Sequence, residues 1–600
     1  MHRSYADLID EVYIKPIRSC LIIDDDYPTW EEILQTDKTT TDITTGIPKK
    51  KWKTDPEPIK ELITKLRAPG HSLILDIDDG SSIDLKEGTP LISNLHQTDL
   101  LILDYQLEGT SQDGTKSIKI IRDVNSNDHF NLVVLHTSDD LDQAIRDILL
   151  GILAPCILAD RDEKVSAGHS LIVDAEDDLP DIQEKIRDAV EVEQYIAFRA
   201  CPRKSLTDVF KGHQPFSALA AVCLEAGWKG KATRTIFEWA MLDFEDRSSK
   251  KMHHSEIPNL TWSIEGTKWI RSSCAFIAFS SKKGVTDLIA ALQEGLSAWA
   301  PRPSRLLVAK LRKELEERGA IAEDSALGNN DVLARWYYEL LSVDNDKQGF
   351  LLHETLSRHT EQLMAEVSDH VISYAKALIN IDKATIDESA AEPVTMFSII
   401  DQHFNLDLSD QKVLDNSELE HNVFICSTKP SGDNLKTGHI FKIGVEYWVC
   451  LSPLCDLVPG QKSSGIFGDV GARMPFIGVR FRKVSEREFA KYADVQSNRY
   501  VFIREGQDRV ILCINEANPK SADSSPHWYP LYASNQGKFT NEFELTVSKV
   551  ALEGDELTFQ SHETTILTQL RYEYALNLMQ KLGASLNRIG LDFSGLSAND

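Results

Sequence analysis

The first third of the chain alternates short apolar runs with stretches of helical spacing. The runs are rich in Ile, Leu and Val, and they cover residues 20–23, 73–77, 100–103, 132–135 and 171–173. Amphipathic helices are predicted at residues 113–124, 141–150 and 179–199. Continuous apolar strands that alternate with helices are typical of a parallel sheet buried on both faces. The pattern predicts a five-stranded parallel α/β domain over residues 1–200.

The rest of the chain changes character twice. A stretch at 36–58 that contains Thr, Lys and Pro predicts a loop inserted into the first domain. Helical spacing dominates residues 201–405 and predicts a mainly helical middle domain. Apolar runs between polar or Gly-containing turns predict a β-rich domain over residues 406–560. An amphipathic pattern that begins at residue 564 predicts a closing helix and a tail over 561–600.

Length and composition indicate several soluble domains. One hydrophobic core rarely serves 600 residues, and 42% hydrophobic with 26% charged residues is ordinary for globular proteins. No apolar run approaches the ~20 residues of a membrane helix. The N-terminus lacks the basic and then apolar order of a secretory signal, and the nine cysteines are scattered. We therefore expect a cytoplasmic protein that does not contact a membrane.

Acidic residues are concentrated in the first domain. The chain carries a net charge of −28, and residues 1–200 hold 40 Asp and Glu against 21 Lys and Arg. Such a surface repels a phosphate backbone, so direct contact with nucleic acid is not expected. The acidic excess favours a cation-binding pocket in this domain.

Two basic stretches stand out against this background. Residues 49–53 combine four lysines with Trp52 and are predicted to form an exposed loop. The second stretch is predicted to be one helix face balanced by Glu314, Glu316 and Glu317. Its members are Arg302, Arg305, Lys310, Arg312 and Lys313.

Polar side chains follow three of the predicted strands. Asp24 and Asp25 end the first, Asp104 ends the third, and Thr137 ends the fourth. The carboxyl ends of parallel strands meet at one edge of a sheet, so these groups should converge. Carboxylate oxygens from two adjacent strand ends suit Mg²⁺, and a carboxylate beside the ion can attack a phosphoryl group. A hydroxyl from the next strand can bond the phosphoryl oxygen.

These strand ends resemble the receiver domain of two-component response regulators. Asp24 and Asp25 fall on the family's acidic pair, Asp104 on its phosphoacceptor and Thr137 on its hydroxyl position. The resemblance implies a receiver-like domain of flavodoxin-like topology, in which Asp24, Asp25 and Asp104 bind Mg²⁺ while Asp104 is phosphorylated. The protein would then be a phosphoacceptor rather than a turnover enzyme.

Further segments extend the resemblance. Asp113 and Gly114 stand where receivers carry an Asp-Gly pair before the third helix. Residues 98–107 and 129–137 are more closely similar to a variant receiver family of bacterial conflict and anti-phage operons, often found beside a GHKL-type ATPase. This implies a GHKL-type histidine kinase or ATPase as partner, and signal relay through altered assembly with an operon-encoded effector or a second copy.

The predicted fifth strand departs from the receiver pattern. It covers residues 170–174 and has no Lys at its end, where receivers carry one; Lys164 is the nearest candidate. Without that Lys the acidic pocket could hold Mg²⁺ while phosphotransfer or its readout is lost. The alternative is a pseudo-receiver that acts as an adaptor of a partner ATPase without being phosphorylated.

A phosphatase of the haloacid dehalogenase type is a second alternative. Its pattern of an Asp pair, a Thr, a Lys and a closing acidic pair is met in order by Asp24, Asp26, Thr137, Lys164, Asp174 and Asp178. This assignment leaves Asp104 unexplained, and Pro28 stands where the pattern prefers Thr or Val.

Overall fold

The computed structural model divides the chain into two compact units. Unit 1 comprises Met1–Lys313 with Tyr374–Ile381, and unit 2 comprises Glu314–Ser373 with Asp382–Asp600. This division is coarser than the four segments predicted from the sequence, which stay predictions. The residues that the structure describes are 3–34, 50–81, 98–107, 114–126, 129–156, 159–283, 287–327, 329–343, 345–391, 393–460, 470–492, 499–514 and 526–586.

A seven-stranded sheet forms the centre of unit 1. Its strands are β1 (Ser19–Ile23), β2 (Ile74–Asp78), β3 (Leu100–Leu103), β4 (Asn131–Thr137), β5 (Thr261–Ser263), β6 (Trp269–Arg271) and β7 (Ala275–Ser281). They lie in the order β2-β1-β3-β4-β7-β6-β5. Neighbours from β2 to β7 are parallel, whereas β6 and β5 pair antiparallel at one edge. The predicted parallel α/β architecture is confirmed, with two strands more than predicted.

Helices cover both faces of this sheet. They are α1 (Tyr5–Ile9), α2 (Trp30–Leu34), α3 (Glu57–Leu66), α4 (Thr115–Asn125), α5 (Leu141–Ile152), α6 (Arg161–Glu176), α7 (Ile182–Asp188), α8 (Val192–Ala200), α9 (Pro202–Lys211), α10 (Ser217–Glu225), α11 (Lys231–Ser248), α12 (Leu288–Trp299) and α13 (Pro303–Leu327). Along β1, Leu21 and Ile23 face one core while Cys20 and Ile22 face the other. Burial on both faces explains why these strands are continuous apolar runs.

The predicted fifth strand is wrong. Residues 170–174 lie in α6, where Ile172 is buried while the neighbouring Val173 is 48% exposed. The fifth parallel strand is β7, which pairs with β4 from Asn131 opposite Ala275 to Thr137 opposite Ser281. Between β4 and β7, residues 138–274 hold α5 to α11 and the β5–β6 hairpin. A largely helical insertion therefore separates the last parallel strand from the other four along the sequence.

The C-terminal part of the chain is helical and then β-rich, as predicted. The helices are α14 (Asn330–Ser342), α15 (Asn345–Thr385), α16 (Met396–Phe404), α17 (Gln411–Cys426), α18 (Glu486–Tyr492) and α19 (Tyr572–Leu586). The strands are β8 (Ser427–Thr428), β9 (His439–Ile443), β10 (Glu446–Cys450), β11 (Met474–Val484), β12 (Tyr500–Glu505), β13 (Asp508–Cys513), β14 (Trp528–Ala533), β15 (Glu544–Glu553) and β16 (Glu556–Leu570).

Six of these strands close into a ring. The pairing runs β10-β9-β16-β15-β14-β11, and β11 returns to β10. The predicted start of the closing helix at residue 564 is corrected, because residues 564–570 belong to β16 and the helix begins at Tyr572. Among the helices within the described ranges, none has the length and apolar character to span a membrane.

Candidate functional site

Two buried carboxylates lie side by side where β1 and β3 end. The backbone N–H of Asp24 donates to the carbonyl of Asp78 at 3.1 Å, and that of Asp104 donates to the carbonyl of Ile23 at 2.9 Å. These bonds continue the ladders of the parallel strands by one residue, so both side chains are held at the same edge. Asp24 is 3% exposed and Asp104 is 7% exposed. We call this the acidic edge; it contains Asp24, Asp25, Asp104, Thr137 and Lys282.

Lys282 joins the two carboxylates. Its Nζ lies 2.7 Å from Oδ2 of Asp24 and 2.7 Å from Oδ2 of Asp104. Its backbone N–H donates to the carbonyl of Thr137 at 2.7 Å, which anchors the residue directly after β7. The sequence analysis missed this residue because it placed the fifth strand too early. The available signal was the apolar run Ala275–Ser281, whose continuation is Lys282.

Thr137 brings a hydroxyl to the same edge. It ends β4, is 1% exposed, and its Oγ1 accepts the backbone N–H of Asp139 at 3.2 Å. Its neighbour His136 is partly buried, and burial together with the positive charge of Lys282 lowers the pKa of that imidazole to about 4. His136 is therefore neutral at pH 7 and adds no charge to the edge.

Burial and charge act against each other on the carboxylates. Burial raises the pKa of Asp104 to about 7; Lys282 opposes the rise and Asp24 adds to it. Burial also raises the pKa of Asp24, and Lys282 again opposes the rise. For Lys282, burial favours the neutral amine, but the two carboxylates outweigh it and raise its pKa. When ionised, the three carboxylates exceed the single ammonium by two charges, which a divalent cation would balance.

Comparison with known proteins gives one match. Residues 16–190 match the response receiver domain family, over strands β1 to β4 and part of the helical insertion. The N-terminal part of the chain thus contains a response receiver domain. The matched segment ends before β7, so the position of Lys282 beside Asp24 and Asp104 comes from the structure and not from the match. No curated protein and no solved structure matches the chain.

The receiver domain has ligands that fit Mg²⁺. Asp24, Asp25 and Asp104 each offer a carboxylate oxygen, and these oxygens lie within 4.8 Å of one another. A set of hard oxygen donors at this spacing is the kind that Mg²⁺ prefers. A cavity of about 590 Å³ adjoins the edge and is lined in part by Tyr27, His136 and Lys282. The three carboxylates therefore fit a divalent cation, and Lys282 links them to the adjoining cavity.

Gly114 shapes the segment after the phosphoacceptor position. It has φ of +58°, and a Cβ there would lie 2.2 Å from the ring of Tyr105. The Tyr105 hydroxyl donates to Asp147 at 2.9 Å, and the Ser117 hydroxyl donates to the Tyr105 carbonyl at 2.8 Å. Gly114 precedes α4 as the receiver resemblance implies, while Asp113 lies outside the described residues.

The residues of the haloacid dehalogenase pattern do not lie together in the structure. Lys164 and Asp174 lie on α6, which packs against α11 rather than at the strand ends. Lys164 forms ion pairs with Asp160 at 3.3 Å and Glu238 at 3.8 Å. At the acidic edge, the positive charge comes from Lys282. One of the two carboxylates that Lys282 contacts is Asp104, which the phosphatase pattern leaves out.

Proposed function

We propose that the receiver domain relays a signal by phosphorylation of Asp104, with Mg²⁺ held by Asp24, Asp25 and Asp104. The contact between Lys282 and both buried carboxylates carries this proposal. It supplies the Lys whose absence was the sequence argument for a pseudo-receiver. The chain would act as a phosphoacceptor rather than as a turnover enzyme.

The proposed transfer uses groups that the edge already holds. An oxygen of the Asp104 carboxylate attacks the phosphorus of the donor, and an O–P bond forms. The bond from phosphorus to the donor atom breaks, and its electron pair stays with the leaving group. Thr137 donates its hydroxyl to a phosphoryl oxygen, and Lys282 offsets negative charge on the carboxylate and the phosphoryl group. Bound Mg²⁺ would offset further phosphoryl charge.

The proposed readout starts at Lys282. A phosphoryl group brings up to two negative charges at pH 7 and offers Lys282 a new partner. Lys282 directly follows β7, and the start of β7 directly follows the helical insertion. A shift of Lys282 toward the phosphoryl group would therefore bias the packing of β7 and the insertion, which is a change that a partner protein can detect.

The proposed phosphoryl donor is a GHKL-type histidine kinase or ATPase. The proposed output is altered assembly with an effector or a second copy of the chain, in bacterial anti-phage defence. The resemblance of residues 98–107 and 129–137 to the conflict-associated receivers supports the partner and the setting.

Intact mass spectrometry tests the proposal. The full chain is incubated with acetyl phosphate and Mg²⁺, alongside Asp104→Asn and the control Asp142→Asn, an exposed carboxylate on α5. We expect one phosphoryl group on the wild type and on the control, and none on Asp104→Asn.

Two results would contradict the proposal. Failure of the wild type to gain a phosphoryl group from any donor would favour the phosphorylation-independent adaptor. Steady hydrolysis of an aryl phosphate that is lost in Asp24→Asn but kept in Asp104→Asn would favour the phosphatase.

A further inference from the structure

A second cavity lies at the other end of the parallel strands. Its volume is about 390 Å³, and its lining includes Phe130, just before β4, and Ser273, just before β7. The first turns of α13 contribute Ser304, Arg305 and Arg312. The acidic edge follows the last residues of the same two strands, so the two sites lie at opposite ends of β4 and β7.

Guanidinium groups gather on aromatic rings beside this cavity. The Cζ of Arg305 lies 4.8 Å from the ring centre of Phe130 and 5.4 Å from that of Trp299. The Cζ of Arg271 lies 5.6 Å from the same Trp299 ring. Arg312 approaches Phe130 at 5.7 Å. We call this group, Arg271 and Arg305 with Phe130 and Trp299, the arginine edge.

The arginine edge has a surplus of positive charge. Within the described parts of the chain, Arg271 and Arg305 form no ion pair, whereas Lys310 on the same helix as Arg305 lies 2.5 Å from Glu11. The Nε of Arg271 is shielded from solvent and has no hydrogen-bond partner there. Burial and the nearby Arg305 lower the pKa of Arg271 to about 10. Like charges held together in an acidic chain indicate a site for an anion.

The start of α13 places side chains on the cavity. This helix runs over Pro303–Leu327, and Ser304 and Arg305 lie at its start. Pro303 has no N–H, and the backbone N–H groups of Arg305 and Leu306 donate to the carbonyl of Arg302. A phosphate at this position could accept hydrogen bonds from the Ser304 hydroxyl and the Arg305 guanidinium, both of which line the cavity.

We propose that the cavity binds a small phosphomonoester, with its phosphate against the Ser304 hydroxyl and the Arg305 guanidinium, and with Arg271 adding positive charge nearby. A volume of about 390 Å³ suits a ligand of mononucleotide size. Val308 and Ala309, which also line the cavity, offer apolar contacts for the rest of the ligand. This site is independent of phosphorylation at Asp104, and its test uses no Mg²⁺.

Calorimetric titration of the full chain in EDTA tests this site. The probes are inorganic phosphate, AMP and adenosine, titrated into the wild type, Arg305→Gln and the control Arg234→Gln on α11. We expect binding of phosphate and tighter binding of AMP, with no binding of adenosine. Arg305→Gln should weaken AMP binding about ten-fold or more, since a charge-assisted hydrogen bond is lost, and the control should match the wild type.

The melting temperature without ligand separates a binding role from a structural one. Arg305→Gln removes one like charge and two ring contacts, which change stability in opposite directions, so its melting temperature should stay close to that of the wild type. A clear fall would indicate a structural role and overturn the proposal. Arg305→Lys keeps the charge but not the planar fork, so it should bind AMP with intermediate affinity.

Other outcomes would also overturn the inference. One is the absence of phosphate and AMP binding at millimolar concentrations. Another is AMP binding that is unchanged in both Arg305→Gln and Arg271→Gln, since the ligand would then lie elsewhere. A third is binding of single-stranded DNA without binding of AMP, which would indicate a nucleic-acid surface instead.

Discussion

The two ends of the parallel sheet carry charges of opposite sign, and the same strands position both sets. At the acidic edge, Asp24 and Asp104 are each paired with Lys282 at 2.7 Å, and the remaining negative charge suits a divalent cation. At the arginine edge, Arg271 and Arg305 share Trp299 and have no ion pair within the described ranges. Each set of charges favours capture of an ion of the opposite sign, but only the acidic edge already contains a side chain of that sign, Lys282.

The difference follows from strand polarity. Residues after parallel strands converge at one edge, where short side chains such as Asp and Thr reach one another. Phe130 precedes β4, and Arg271 ends the antiparallel strand β6, so both lie toward the other edge, where Phe130 contacts Arg305 of α13. The same strand pairings that align β4 with β7 therefore position both sites.

The largest expected effect is on the rate of phosphoryl uptake, after loss of the cation site. Removal of Mg²⁺ by EDTA, or Asp25→Asn, should slow phosphoryl uptake by about 100-fold, because a metal ion contributes several kcal/mol to such transfers. Time courses of intact mass measure the rate. Asp26→Asn is the matched control and should stay within a few-fold of the wild type. Uptake that is equally fast in EDTA would show that the acidic edge needs no cation.

A smaller effect is expected from Gly114→Ala, which tests the packing of Gly114 against Tyr105, the residue that follows Asp104. The new Cβ would clash with Tyr105 and the backbone would keep a positive φ, so the free energy of unfolding should fall by about 2–3 kcal/mol. Gly266→Ala is the control, since Gly266 also has a positive φ but no atom within 4 Å. It should lose only about 1 kcal/mol. Equal losses in denaturant unfolding would contradict the packing of Tyr105 on Gly114.

The smallest expected effect is the contribution of His136 to the pH dependence of the free energy of unfolding. Its pKa is about 4 in the folded chain, below the ordinary value of 6.5, so the unfolded chain binds the proton more readily. The stability that this histidine contributes is present above pH 6.5 and is lost as the pH falls toward 4. Between pH 7 and 5.5, the free energy of unfolding should fall by about 1 kcal/mol more in the wild type than in His136→Gln. His71→Gln, an exposed control, should keep the full loss; an unchanged profile in His136→Gln would contradict the burial of this ring.

Much of the receiver domain could be predicted from the sequence because its signals are local. The apolar runs of β1, β3 and β4 end at Asp24, Asp104 and Thr137, and parallel pairing is enough to bring these ends together. Lys282 could not be placed in the same way. The helical insertion delays its strand, and the apolar run at 171–173 belongs to a helix of which only one side is buried.

The arginine edge shows a second limit of sequence patterns. Spacing predicts that Arg305 and Arg312 share a helix face, and both do approach Phe130. The prediction of one helix face did not include Phe130 or Trp299, because these rings come from before β4 and from the end of α12. Tertiary packing, which spacing along one helix does not encode, brings them together.

The central claim is that Lys282 completes the acidic edge, and a double-mutant cycle between Lys282 and Asp104 tests it most directly. The cycle compares unfolding free energies of Lys282→Met, Asp104→Asn and the double variant in EDTA, with the adjacent Lys283→Met as control. Lys282→Met should lose about 3 kcal/mol, because two buried carboxylates lose their cation, and the control should lose little. The account predicts a coupling energy of at least about 1 kcal/mol between the two residues. Additive losses, with no coupling, would contradict it.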